Sequence, residues 1–140
     1  TLQNLAGKVV AVQSTTKPEE LFLNAEQNGL PRLRRLYSLQ NRDLLYTTLL
    51  KGYADALAAH ESAIRQFMKD YSVEYRILDE PLMTARLGVP LPKERGEALP
   101  QQLTEVFQEM LADGTVRQIV SRYLDDPGHY LDGLEDSTHA

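Results

Sequence analysis

The sequence predicts an α/β fold: a three-layer lobe with a mostly parallel sheet flanked by helices, followed by C-terminal helices. Three observations predict it. Short strand-like runs alternate with stretches of helical periodicity, the pattern of right-handed crossovers between parallel strands. The first run, Val9-Val10-Ala11-Val12, is apolar throughout, as in a strand covered on both faces. The last third of the chain carries two amphipathic helices of its own.

Each element has a local cause. The first strand is Lys8 to Gln13. A helix over Pro18 to Gln27 follows, stopped by Asn28-Gly29 with Pro31 just beyond. Leu33 to Tyr37 is the second strand. Asn41 opens the next helix with Asp43 in its first turn, and Leu44, Leu45, Thr48 and Leu49 recur at helical spacing until Gly52 closes it. Ala54 to Ala59 is small and apolar; its context makes it a core strand despite weak β-propensity. Ser62 to Tyr71 is a helix with Ile64, Phe67 and Met68 inward, and Val73 to Leu78 alternates as a strand.

The character changes near Glu80-Pro81. Leu87 to Pro92 reads as an extended strand that its prolines confine to an edge or an end. Leu99, Leu103, Val106, Phe107, Met110 and Leu111 form one apolar stripe on a helix that Asp113-Gly114 ends. Thr115 caps a further helix whose inner face is Val116, Ile119, Val120, Tyr123 and Leu124. The tail after Asp125-Asp126-Pro127-Gly128 is polar and expected to be loosely held.

Bulk properties narrow the function. A net charge of -5 over 140 residues and a pI near 5.2 argue against a nucleic-acid or anionic-membrane surface, so no nucleic-acid partner is expected. Arg32, Arg34 and Arg35 read as a solvated strand edge. No apolar run approaches the roughly 20 residues that span a bilayer, and Thr1-Leu2-Gln3-Asn4 lacks the charged head and apolar core of a signal peptide. Cysteine is absent, which removes disulfides and thiol chemistry. His129 and His139 have no partner at metal spacing and no acidic calcium loop occurs, so neither metal nor cofactor is expected.

The richest chemistry lies between Gly7 and Phe22. A strand, a hydroxyl-rich turn and a helix start follow one another. Thr16 and Glu19 fit a capping box, with the hydroxyl accepting from the backbone near Glu19 and the carboxylate reaching back. Pro18 lies in the first turn, where its missing N–H costs nothing. Ser14 and Thr15 add hydroxyl donors beside free amides and a positive helix end, an arrangement that holds a small carboxylate. The plainer alternative is a well-capped turn with no ligand.

Three stretches in this order resemble the C-terminal part of a type II periplasmic solute-binding protein, specifically bacterial extracellular solute-binding protein family 3, which binds polar amino acids for ABC importers. Leu5-Ala6-Gly7-Lys8-Val9-Val10-Ala11-Val12-Gln13 with Thr15-Thr16 and Glu19-Glu20 resembles the start of the family's second lobe. Leu50-Lys51-Gly52-Tyr53-Ala54-Asp55-Ala56 resembles its L-x-x-G-x-x-D-A signature. Leu103 through Asp113-Gly114-Thr115 to Tyr123-Leu124 resembles its C-terminal L-x-x-L-x-x-D-G-T-x-x-x-I-x-x-K-Y helices.

The resemblance implies a periplasmic binding protein type II fold, with lobe two over residues 5–84 and a segment over 85–140 returning to complete lobe one. It implies a periplasmic or extracellular location, a small-molecule ligand with a carboxylate, and either ABC transporter membrane subunits or a signalling partner. The family's turn reads Gly-Thr where this chain has Thr15-Thr16; Thr16 takes the ligand-contacting position, and a β-branched Thr15 is a poor substitute for a glycine of positive φ. Counting from Asp55-Ala56, His60 stands where amino-acid binders carry the acid that pairs with the ligand ammonium. Glu61 is adjacent but faces the other way if the strand continues. Either Glu61 substitutes or the ligand lacks an ammonium; a dicarboxylate suits His60 and Thr16 together. The candidate site is therefore Ser14, Thr15, Thr16, His60 and Glu61, with His60 otherwise a mere helix cap and Asp55 structural.

Two other functions compete. Some relatives use this cleft to dehydrate cyclic acids, for which His60 and Glu61 would be acid and base; no nucleophile is positioned, and a non-enzyme is the expectation. A small domain that only makes protein contacts is the other. Tail residues Leu131 to Ala140 read as an ending rather than a helical connector, which favours a soluble binder over a receptor sensor. The stripe Leu99, Leu103, Phe107, Met110 lacks a home sheet, so it is expected to pack on a neighbouring chain, as in a homodimer through the C-terminal helices, or on the 5–84 core.

Overall fold

The computed structural model describes residues 1–85, 88–96 and 98–135, without the side chains of 95, 132, 133 and 135. The chain divides into two compact units, Thr1–Ala85 and Arg86–Ala140.

The first unit is an α/β layer structure on three parallel strands: β1 (Val9–Gln13), β2 (Arg35–Leu39) and β3 (Ala56–Ala58), in the order β2-β1-β3. Val9 to Gln13 pair with Arg35 to Leu39, and Val10 to Val12 pair with Ala56 to Ala58. The central strand is buried on both faces, as its unbroken apolar run requires. Val10 and Val12 meet Phe22 of helix α1 (Lys17–Leu23) on one face. Val9 and Ala11 meet Leu45 of helix α2 (Arg42–Leu50) on the other. Helix α3 (Glu61–Tyr71) lies against α2, with Phe67 stacked on Tyr46 at 4.2 Å between ring centroids.

Several boundaries follow the local chemistry. Asn41 caps α2 by accepting from the Asp43 N–H at 2.7 Å. Gly52, at φ 70, turns the chain out of α2, a conformation glycine adopts without steric cost. Helix α1 stops at Leu23 rather than Gln27, because the side-chain amides of Asn24 and Asn28 donate to the carbonyls of Glu20, Leu21 and Asn24, and bend the chain into turns. β2 begins two residues later than its apolar pattern indicates.

The strand expected over Val73 to Leu78 is absent. The Tyr75 N–H donates to the Met68 sulfur, and its ring stacks over Phe67, so this segment folds back on α3 instead of pairing with β3. Residues 88–92 of the expected proline-rich strand are irregular, and Leu87 lies outside the described residues.

Asp55 joins the strand starts. Its carboxylate accepts from the Val9 N–H at 2.7 Å, while its own N–H donates to the Val9 carbonyl at 2.8 Å. This is the structural role expected of it, at the N-terminal end of the sheet. Asp55→Ala is expected to cost about 1–3 kcal/mol in urea unfolding, as a charge-assisted bond to a backbone donor is lost.

The second unit contains helices α4 (Ala98–Ala112), α5 (Thr115–Val120) and α6 (Pro127–Glu135). Leu111, Val116 and Leu131 form its core, one residue from each helix. The tail is therefore not loosely held up to Glu135. Asp126 accepts from the His129 N–H, Pro127 starts the helix, and Leu131 is only 5% exposed. Thr115 is the first helical residue of α5 rather than its cap. The Asp113 carboxylate accepts from the Thr115 N–H at 2.8 Å, and its hydrogen bonds to Thr115 hold its carboxyl below the ordinary value. Leu103, Val106 and Phe107 remain 47%, 50% and 47% exposed.

Candidate functional site

Parallel strands put their C-terminal ends on one edge, and the loops leaving that edge carry the candidate residues. From β1 the chain departs to α1 on the Val10/Val12 face. From the adjacent β3 it departs to α3, on the α2 side. Two neighbouring strands whose connections leave to opposite faces open a crevice beyond their carboxyl ends. Ser14, Thr15 and Thr16 follow β1 at this edge, the candidate first lip, and His60 and Glu61 follow β3, the candidate second. Two residues past the last strand pair, Val12 with Ala58, come Ser14 and His60.

Not every donor in the first lip is available. The Ser14 N–H donates to the Leu39 carbonyl at 2.9 Å. The Thr15 N–H donates to Glu19 at 2.6 Å. The capping-box expectation thus fails in detail. Glu19 reaches one residue further back than Thr16, and the Thr16 hydroxyl donates to the Gln13 carbonyl at 2.6 Å instead of accepting at the helix start. The Thr15 hydroxyl donates to the Ser14 carbonyl at 2.7 Å. Both threonine hydroxyls are thus spent as donors and keep only acceptor capacity. Among the described residues the N–H groups of Thr16, Lys17 and Glu19 have no acceptor. These are the donors left for a carboxylate.

Thr15 sits at φ 59, in the left-handed region that a β-branched residue occupies at a cost. Glu19 also accepts from the Ser38 hydroxyl near the end of β2, a partner that no spacing in the sequence announces. These two bonds hold the Glu19 carboxyl below the ordinary value of 4.5, the Ser38 bond foremost. A depressed folded value stabilises the native state above the unfolded value and loses that effect as pH falls through the folded one. Glu19→Gln is accordingly expected to lower Tm near neutrality and to flatten its fall with pH below 4.5, the two proteins converging at low pH.

In the second lip, the strand ends at Ala58, so strand alternation does not decide where Glu61 points. Glu61 is the first residue of α3, and its carboxylate binds Arg65 at 2.7 Å, an i,i+4 pair readable from the sequence. His60 occupies the cap position of α3, yet its exposed ring makes no capping bond. Among the described residues no group of three or more His, Asp or Glu could hold a metal ion, and no helix is long and apolar enough to cross a membrane.

No family model matches the chain. Curated relatives do. The histidine-binding periplasmic proteins of Escherichia coli (strain K12) and Salmonella typhimurium are each 35% identical over 133 residues, covering 89% of this chain and 49% of theirs. The putative amino-acid ABC transporter-binding protein PatH of Vibrio harveyi is 26% identical over 119 residues, covering 84% of this chain and 46% of its own. Over most of its length the chain is similar to these periplasmic binding proteins, in line with its resemblance to solute-binding protein family 3. It spans about half the length of these relatives. Thr15, where the resemblance implies a glycine, adopts a left-handed conformation that glycine takes freely. The signature stretch, Leu50 to Ala56, lies at the end of α2 and the start of β3, away from the crevice.

Proposed function

We propose that this chain is the second lobe and returning segment, residues 5–84 and 85–140, of a binding protein that captures a small amino acid or organic acid by its carboxylate. The ligand would lie in an interlobe cleft, with Ser14, Thr15, Thr16, His60 and Glu61 together on its lobe-two wall. The protein would then serve the membrane subunits of an ABC importer, in the periplasm or outside the cell. One observation carries the reading: the free amides of Thr16 and Lys17 lie at the crevice where the connections of β1 and β3 diverge. The relatives' names, binding proteins for histidine and for amino acids, point the same way. Binding, rather than turnover, is the activity this supports.

An amino acid is the first candidate ligand. His60 favours a second, a dicarboxylate, because an imidazole is a weaker partner for an ammonium than a carboxylate is, and Glu61 is engaged by Arg65. Thermal shift with L-histidine, glutamate and succinate separates the two. A ligand of the native state raises the midpoint by mass action. With one wall of the cleft in this chain, affinities around 1 mM, about 4 kcal/mol, are expected. No shift with any of them at tens of times that concentration would count against the reading.

The exposed stripe on α4 supports cover by protein outside this chain. A homodimer is the expected outcome for the chain alone, with Phe107→Glu shifting it to monomer in sedimentation equilibrium. A wild-type monomer would remove the dimer.

A further inference from the structure

We propose that Glu19 is a positioning residue, a clamp that keeps the β1–α1 turn in the left-handed conformation on which ligand capture depends. The proposal rests on the proposed function for its consequence, though not for its geometry. Thr15 is one of two non-glycine residues of positive φ among those described; the other, Ser72, ends a helix. A β-branched residue pays most to sit there, because Cβ and Cγ crowd the backbone. Something must hold it. The Glu19 carboxylate takes the Thr15 N–H at 2.6 Å and, through its other oxygen, the Ser38 hydroxyl. It thereby ties three pieces of chain together: the turn after β1, the first turn of α1, and the end of β2.

The clamp fixes which amides remain for a ligand. With Thr15 left-handed, its N–H turns to Glu19 and those of Thr16 and Lys17 are left unbonded. Without the clamp, Thr15 relaxes toward the extended region, and the chain direction through Thr16 changes. Two polar residues, Ser38 and Glu19, thus do for a threonine what an intrinsically permissive residue would do alone.

This makes a double-substitution test decisive. Glu19→Ala is expected to speed exchange of the Thr15 amide about tenfold or more, the factor for losing a charge-assisted bond, and to weaken L-histidine binding by a similar factor. Thr15→Gly adopts the left-handed conformation unaided, so adding it to Glu19→Ala should restore binding to within about threefold. Glu19→Gln, which keeps an acceptor for Thr15 and a donor for Ser38, should retain most of the wild-type affinity. A merely structural role would lower thermal stability without such rescue. Unchanged Thr15 exchange in Glu19→Ala, or a double variant that binds no better than Glu19→Ala, overturns the clamp. If the wild-type chain binds neither L-histidine nor glutamate nor succinate, the functional reading fails first. The exchange rates, and the rescue of Tm by Thr15→Gly, still decide the clamp.

Discussion

Leu45→Ala is expected to lower the unfolding free energy of the Thr1–Ala85 unit by about 2–5 kcal/mol. Leu45 is 1% exposed and joins Val9, Ala11 and Ala54 in one cluster, edged by Tyr37, Leu39, Leu57 and Ala59. It is the main contact by which α2 covers the sheet. A three-strand sheet has little room to close around the void, so the upper part of the range applies. Small domains carry only about 5–15 kcal/mol in total, so the loss is a large fraction of the unit's stability. Urea denaturation followed by far-UV circular dichroism measures it, through a lower midpoint at unchanged slope. A loss under about 1 kcal/mol would mean that α2 does not seat on β1 as described.

Lys17→Pro is expected to weaken carboxylate-ligand binding about 10- to 100-fold while leaving stability nearly unchanged. The substitution removes one backbone donor and the exposed ion pair of the Lys17 ammonium with Glu20 at 2.5 Å, a pair that contributes little to stability. Lys17 is the first residue of α1, a position where proline is well tolerated. Thr16 already has φ -108 and ψ 162, the extended conformation that proline imposes on the residue before it. The Lys17 N–H makes no hydrogen bond within the described protein, so the fold loses none. A bond from an amide to an ionised carboxylate contributes about 1.5–3 kcal/mol, which sets the fold-change. Calorimetric titration with L-histidine and with succinate reads it. Equal affinity for wild type and variant would place the carboxylate elsewhere.

Much of the scaffold was legible because its signals are local. The unbroken run Val9 to Val12 announced a doubly covered strand. Asn41 and Gly52 announced the ends of α2. Where the reading failed, a non-local or competing contact won. Val73 to Leu78 alternates as a strand should, but Tyr75 found Phe67 and Met68 before it found β3. The tail reads polar, yet Asp126-Pro127 followed by Leu131 and Leu134 is a helix start with an apolar face, a signal present and passed over. In the site, the turn and its position on the sheet were legible from Ser14 to Thr16. The left-handed Thr15 and the long reach of Glu19 to Ser38 were not, because they depend on how β1 and β2 align in space.

The central claim is that the lips at the ends of β1 and β3 receive a small carboxylate together. Amide NMR of the 15N-labelled chain during titration with L-histidine and, separately, succinate tests it most directly, since it registers binding even at millimolar affinity. The account predicts that the largest shifts fall on Thr16, Lys17 and Glu19 together with His60 and Glu61, saturating with one dissociation constant. Saturable shifts confined to residues elsewhere, or none at those five amides with either ligand, would contradict it.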